Sequence, residues 1–395
     1  MTDSTAFKSG RHFLQIPGPS NVPDKVLRAM AQPTMDHRGP EFAAMMLRIL
    51  GRLKTLFQSS GPAILFPSSG TGAWEAAFVN TLSPGDRVLA FETGQFATAW
   101  KNVAVRLGLD VVWVEGDWRH GVDPAVVHER LSSDTDGSIK AVLVLHNETS
   151  TGITNRVHAV RGAMDAAGHS ALLMIDAISS GGSIELCHDE WGVDVTICCS
   201  QKGLMLPPGL GINVVSEKAL AASESAGFAK SYWDWAAVLN MNERGFFPYT
   251  PPTNLLYGLD VALDMLLEEG QANTYSRHHR LAEATRKAVA AWGLELCCLN
   301  PEEYSDVLTA VWMPDGYDAD ELRRLILEKF DMSLGTGLGK VKGRVFRIGH
   351  LGDLNDLTLA GTLAGVEMGL AMAGVPHSKG GVDAALEYLT STLVV

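Results

Sequence analysis

VDVTICCSQKGLMLPPGLG, residues 193–211, runs from an apolar, β-branched segment into Ser200, Gln201 and Lys202 and then into a proline-glycine turn. Val193 to Cys198 reads as a buried strand, and a lysine at the tip of such a strand is hard to explain as ordinary surface. Desolvation there lowers an amine's pKa until it becomes nucleophilic.

Working outward, similar short runs occur at Ala63 to Phe66, Arg87 to Phe91, Asp110 to Val114, Ala141 to Leu145, Ala171 to Ile175 and Gly211 to Val215. Helical patterning separates most of them, as in Ala73 to Thr81, Ala97 to Leu107 and Val157 to Ala167. The alternation predicts crossover connections and an α/β fold on a mainly parallel sheet, with ligands outside the carboxyl ends of the strands. FFPYTPPTN, residues 246–254, interrupts the pattern before a helical stretch from Leu255 to Glu269 and marks a domain junction. Beyond it, helices are expected over Tyr275 to Leu294, Ala319 to Phe330 and Leu354 to Ala373, and strands over Asp306 to Trp312 and Val345 to Ile348. The division expected is an N-terminal arm (1–20), a large domain (21–254), and a linking helix with a smaller C-terminal α/β domain (255–395).

Composition excludes several classes of partner. A formal charge of −13, from 45 acidic and 32 basic residues, repels nucleic acid and anionic membrane. With 46% hydrophobic and 19% charged residues over 395 positions, the chain can bury large cores. Five cysteines, two pairs of them adjacent, suit neither a disulfide framework nor a metal site, so no metal is expected. No secretory signal or apolar span of membrane length is seen, and a cytoplasmic location is the expectation.

Two further segments bear on chemistry. LFPSSGTGAWEAAF, residues 65–78, places Ser69, Gly70 and Thr71 between an apolar run and a helical pattern, where backbone N–H groups and the helix dipole favour a phosphate. A plain capped turn would look the same. ALLMIDAISS, residues 171–180, sets Asp176 at a strand end, where a carboxylate can fix a cation or a ring nitrogen, or simply cap a helix after it. Together a phosphate cradle, a ring-nitrogen carboxylate and a nucleophilic lysine are the parts a pyridoxal 5'-phosphate (PLP) site needs.

With these segments the chain resembles the class V, fold type I, PLP-dependent aminotransferases, specifically the serine-glyoxylate and alanine-glyoxylate enzymes. The resemblance runs from about Phe13 to Ala385 and rests on IPGPSNVP (16–23), FPSSGTGAWE (66–75), GQF (94–96), HNETSTG (146–152), DEWGVDV (189–195), SQKGLMLPPGLG (200–211), PYTPPTNLLYGL (248–259) and FRIGHLGDLN (346–355). It implies that residues 21–254 form the PLP-binding domain and that Lys202 is the catalytic residue, bonded to the cofactor and shuttling the Cα proton. Asp176 would pair with the pyridinium nitrogen. Ser69, Gly70, Thr71 and Gln201 would hold the phosphate, Phe96 would stack on the ring, and Ser150, flanked by Thr149 and Thr151, would lie near the ring oxygen. Arg347 would clamp the substrate carboxylate, with Gly18 lining the substrate pocket. The resemblance further implies a homodimer, in which Tyr249 and Thr250 reach the neighbour's phosphate.

The reaction expected is transfer of an amino group from serine or alanine to glyoxylate. A cysteine desulfurase would need a cysteine on the loop before Arg347, and residues 332–344 contain none. A phosphoserine-type or aspartate-glyoxylate enzyme would gain support if Arg38, in Asp36-His37-Arg38, faced the pocket; a role in the dimer or the N-terminal turn is the other reading. A non-catalytic phosphate-ligand binder with the same fold has no need of Lys202, Asp176 and Arg347 together.

Overall fold

The computed structural model describes residues 10–393. A seven-stranded sheet runs in the order Ala63–Ser68, Gly209–Val215, Val195–Cys199, Leu172–Asp176, Ile139–Leu145, Arg87–Phe91 and Asp110–Val114. All neighbours pair in parallel except Gly209–Val215, which is antiparallel to both strands beside it. That reversal follows from the turn after Lys202, which is too short for a crossover and sends the chain straight back.

The central strands are mostly apolar because both faces are covered. Every residue of Leu172–Asp176 and of Val195–Cys199 is buried. One face packs on helices Pro40–Leu56 and Thr253–Glu269 through Phe42, Ile49, Leu53, Leu256 and Leu263. The opposite face packs on Gly70–Thr81 and Gln95–Arg106 through Trp74, Phe78, Trp100 and Ala104. Each such side chain, fully withdrawn from water, contributes roughly 1.5–3 kcal/mol.

A five-stranded sheet has the order Phe13–Gln15, Met332–Thr336, Val345–Gly349, Leu308–Trp312 and Glu295–Leu296. Helices Gln271–Trp292, Ala319–Phe330, Asp356–Met372 and Gly381–Ser391 supply its core. Phe13–Gln15 pairs with Met332–Leu334, so this part of the expected arm is an edge strand of the smaller sheet; residues 1–9 lie outside those described.

Most expected elements are present, with ends moved by a few residues. The helices expected from Ala73 and Ala97 begin at Gly70 and Gln95. The added residues, Gly70 to Gly72 and Gln95 and Phe96, are too few to show an apolar periodicity, and both turns face a cavity at the strand ends.

Candidate active site

The chemistry-bearing residues gather where the parallel strands end. Gly18, Ser69, Gly70, Thr71, Phe96, Asp176, Gln201 and Lys202 line one cavity of about 270 Å³, joined by Trp74, Ala99, Leu145, Asn147, Thr149 and Ile178. Each predicted member ends a strand, stands just after one or opens the helix that follows one, apart from Gly18.

Lys202 reaches the cavity from the turn after Val195–Cys199, and its Nζ donates to Pro17 O at 2.5 Å. Burial lowers its pKa to about 8, and the Arg347 charge pushes the same way against Cys199 and Asp176. The segment before Ser20 lies directly over this side chain. Gly18 has φ +110°, and a Cβ there would collide with Lys202 Cδ, Cε and Nζ. Ser20 ties the two segments together, its Oγ donating to Lys202 O at 2.8 Å and its N–H to Gln201 O at 3.0 Å.

Asp176 ends its strand fully enclosed, accepting from Trp74 Nε1 at 2.9 Å and Ile178 N at 2.7 Å. Both donors are neutral. Burial raises its pKa to about 7, against those bonds. A protonated ring nitrogen would remove that penalty by pairing with the charged carboxylate.

Helix Gly70–Thr81 starts at Ser69 with no side-chain cap, so its first N–H groups are open to the cavity. Open donors at a helix N-terminus suit a phosphate. A Cβ at Gly70 would strike Ile178 Cδ1, which keeps the backbone as the lining at that point. An amine, an enclosed carboxylate with no ion-pair partner among the described residues and an uncapped helix end fit PLP at its aldehyde, ring nitrogen and phosphate.

Arg347, in Val345–Gly349, is buried behind the cavity wall. Its Nε donates to Thr336 O at 2.8 Å and its Nη1 to Thr149 O at 2.7 Å, while among the described residues Nη2 has no hydrogen-bond partner. Burial lowers its pKa to about 10, still far above neutrality.

Besides Arg347, three expected site residues do not line the cavity. Ser150 is buried with its hydroxyl engaged by Glu148 Oε1 at 2.6 Å and Gln95 N at 2.9 Å, and its neighbour Thr149 faces the cavity instead. Tyr249 stacks on Tyr232 with centroids 4.6 Å apart, and its hydroxyl is buried without a partner. Thr250 is exposed, as is Arg38.

Trp74, Asn147 and Glu148 went unnoticed in the sequence. Trp74 lies one helical turn after Gly70 and so shares its face, a signal that the helical period carries. Asn147 follows the end of Ile139–Leu145, where the strand-end rule points. Its Nδ2 donates to Ser179 Oγ at 2.8 Å and its Oδ1 accepts from Thr154 Oγ1 at 3.0 Å.

Comparison with known proteins agrees with this geometry. The family model described as Aminotransferase class-V matches residues 12–338. The chain belongs to the class-V aminotransferases. Members of this family are PLP-dependent transaminases. This class-V aminotransferase is 50% identical over 389 residues to a protein named serine--glyoxylate aminotransferase from Methylorubrum extorquens, covering 97% of each chain. It is 46% identical over 379 residues to the L-aspartate--glyoxylate aminotransferase of Paracoccus denitrificans, covering 95% of this chain and 96% of that one. The crystal structure of pyridoxamine-pyruvate aminotransferase from Mesorhizobium loti superposes with a TM-score of 0.90 at 26% identity over 98% of both chains. The aminotransferase thus has the fold type I architecture, a large mostly parallel sheet with a smaller mixed one.

Proposed function

We propose that this chain moves the amino group of a small L-amino acid, serine or alanine, to glyoxylate, leaving a 2-oxo acid and glycine. One observation carries the reading: a single cavity holds the Lys202 amine, the Asp176 carboxylate and an uncapped helix N-terminus. PLP, when bound, supplies an electrophilic aldehyde carbon and an electron-withdrawing ring.

The chain's own groups do the rest. Lys202 would hold the cofactor, and its amine, with its pKa lowered by burial to about 8, would carry the proton to and from the substrate Cα. Asp176 would keep the ring nitrogen protonated. N–H and hydroxyl groups of Ser69, Gly70 and Thr71, with Gln201, would hold the phosphate, and Phe96 would cover the ring. Thr149, in place of the expected Ser150, would offer its hydroxyl toward the ring oxygen. Arg347, through its unbonded Nη2, would hold the substrate carboxylate and so orient the Cα–H bond. A cavity of about 270 Å³, most of which the cofactor would take, suits a donor with a short side chain.

We further propose a homodimer, with Tyr249 and Thr250 of each copy completing the neighbour's phosphate site; the buried, unpartnered Tyr249 hydroxyl supports this. The five cysteines are all unpaired and buried, in keeping with a reducing, cytoplasmic compartment. Among the described residues no helix is long and apolar enough to cross a membrane. Aspartate is the second donor considered, on the strength of the Paracoccus relative; Arg38 is outside the cavity within one copy.

A half-reaction screen tests the donor. Single amino acids are added to the PLP-loaded protein without any oxo acid, and the visible band is followed. Serine or alanine should bleach it within seconds to minutes and glyoxylate restore it. Bleaching by aspartate alone would transfer the assignment to that donor, and no bleaching by any amino acid would defeat the reading.

A further inference from the structure

We propose that Glu148 is a positioning residue, whose buried carboxylate sets where the Phe96 ring stands at the reaction cavity. The inference rests on the transaminase reading and concerns a group with no role in it so far. Glu148 is fully buried, and no lysine or arginine hydrogen-bonds to it among the described residues.

What it does is visible in its hydrogen bonds. Helix Gln95–Arg106 follows Gly94 with no side-chain cap of its own, so its first N–H groups need acceptors from elsewhere. Gln95 N donates to Ser150 Oγ at 2.9 Å, while Phe96 N and Ala97 N donate to Glu148 Oε2 at 3.1 and 3.0 Å. The other oxygen, Oε1, accepts from Ser150 N at 3.0 Å and Ser150 Oγ at 2.6 Å. One carboxylate therefore joins two segments, the helix that presents Phe96 and the loop that presents Asn147 and Thr149. Gly94 makes room for it, because a Cβ at that position would collide with Ser150 Oγ and Glu148 Cδ.

An anion at a helix N-terminus is favoured by the dipole, yet a serine or asparagine would cap a helix without burying a charge. What the carboxylate adds is a second acceptor oxygen: one holds Phe96 N and Ala97 N while the other holds Ser150 N and Oγ. Burial pushes the Glu148 pKa up, and these hydrogen bonds oppose that rise.

The test uses the full-length protein loaded with PLP. Three quantities are read: visible circular dichroism per bound cofactor, the dissociation constant for PLP, and far-ultraviolet circular dichroism. Glu148→Ala removes both acceptors. It should weaken PLP binding by about tenfold or more and at least halve the visible dichroism per bound PLP, with the far-ultraviolet spectrum unchanged. Glu148→Gln keeps an oxygen for Phe96 N and Ala97 N, and should stay within about threefold of wild type with its visible dichroism retained. Should the alanine variant fail to fold, Glu148→Asp, too short to reach the helix, is judged by the same criteria. Wild-type dichroism per bound PLP in the alanine or aspartate variant, even with a lowered melting temperature, would overturn the proposal by leaving Glu148 a purely structural part. Equal losses in the glutamine and alanine variants would overturn it too, since the missing charge rather than the missing cap would then be responsible. A wild-type chain that takes up no PLP would overturn the transaminase reading together with this one.

Discussion

Lys202 and Asp176 are enclosed in one cavity, and burial drives each toward its neutral form, the amine down to about 8 and the carboxyl up to about 7. A protonated ring nitrogen beside Asp176 would reverse that penalty, and a ring kept protonated would draw electrons from the substrate Cα. Asp176→Asn should therefore retain the cofactor but slow the amino-acid half-reaction by about 10²-fold or more, as stopped-flow bleaching would measure. A wild-type rate would mean that the carboxylate only caps Ile178. Gly18 offers a sharper steric case. With φ +110° and no space for a Cβ beside Lys202, Gly18→Ala should fold yet fail to hold PLP, seen as normal far-ultraviolet dichroism without a visible band.

At the scale of elements, the loop between Met332–Thr336 and Val345–Gly349 is pinned to the large sheet. Lys340 Nζ lies 2.5 Å from Glu92 Oε1 and 5.7 Å from the centre of the Trp118 ring, and Trp118 Nε1 donates to Glu92 at 2.9 Å. Glu92 is 9% exposed and Lys340 60%, so the pair is half screened. A double-mutant cycle on Glu92→Gln and Lys340→Met should give a coupling of about 1 kcal/mol that shrinks with added salt. A coupling of zero at low salt would show the contact to be incidental.

The elements also show what the sequence could tell. Asp176, Lys202 and Ser69 to Thr71 were legible because each follows an apolar run directly, and strand ends in a parallel sheet share one edge. Thr149 and Ser150 were not separable. The chain turns back between the two-residue strands Asn147–Glu148 and Ile153–Thr154, and which hydroxyl faces the cavity depends on that ribbon's registry rather than on a period. Glu148 was hidden for a different reason. Its partners on the helix are backbone N–H groups 51 and 52 positions away, and backbone donors leave no mark in a sequence. Helix Pro40–Leu56 was missed although its apolar positions are regularly spaced, whereas the antiparallel Gly209–Val215 was found as a strand without its direction.

Across the whole molecule, four histidines are buried in neutral form. Burial lowers His146, His188 and His278 to about 4 and His350 to about 3. In the unfolded chain they would titrate near 6.5. Between about pH 6.5 and 4 the unfolded state therefore binds more protons than the folded one, and stability must fall as the pH is lowered through that window. Asp176, raised to about 7, and Glu148, also raised by burial, oppose this in the cofactor-free protein, because there the folded state holds the extra protons. Four imidazoles against two carboxyls leave a net loss of roughly several kcal/mol by pH 4, read as a falling denaturant midpoint for the PLP-free chain. A flat profile from pH 7 to 4.5 would contradict the burial of these imidazoles.

The cavity, the family and the proposed reaction all turn on a covalent attachment at one lysine. The direct measurement is to load the protein with PLP, reduce it with borohydride, digest it and sequence the modified peptide by mass spectrometry. The account predicts a pyridoxyl-phosphate mass on Lys202, within the peptide that contains Gln201 and Gly203. An adduct on any other lysine, or none in protein that still transaminates, would contradict it.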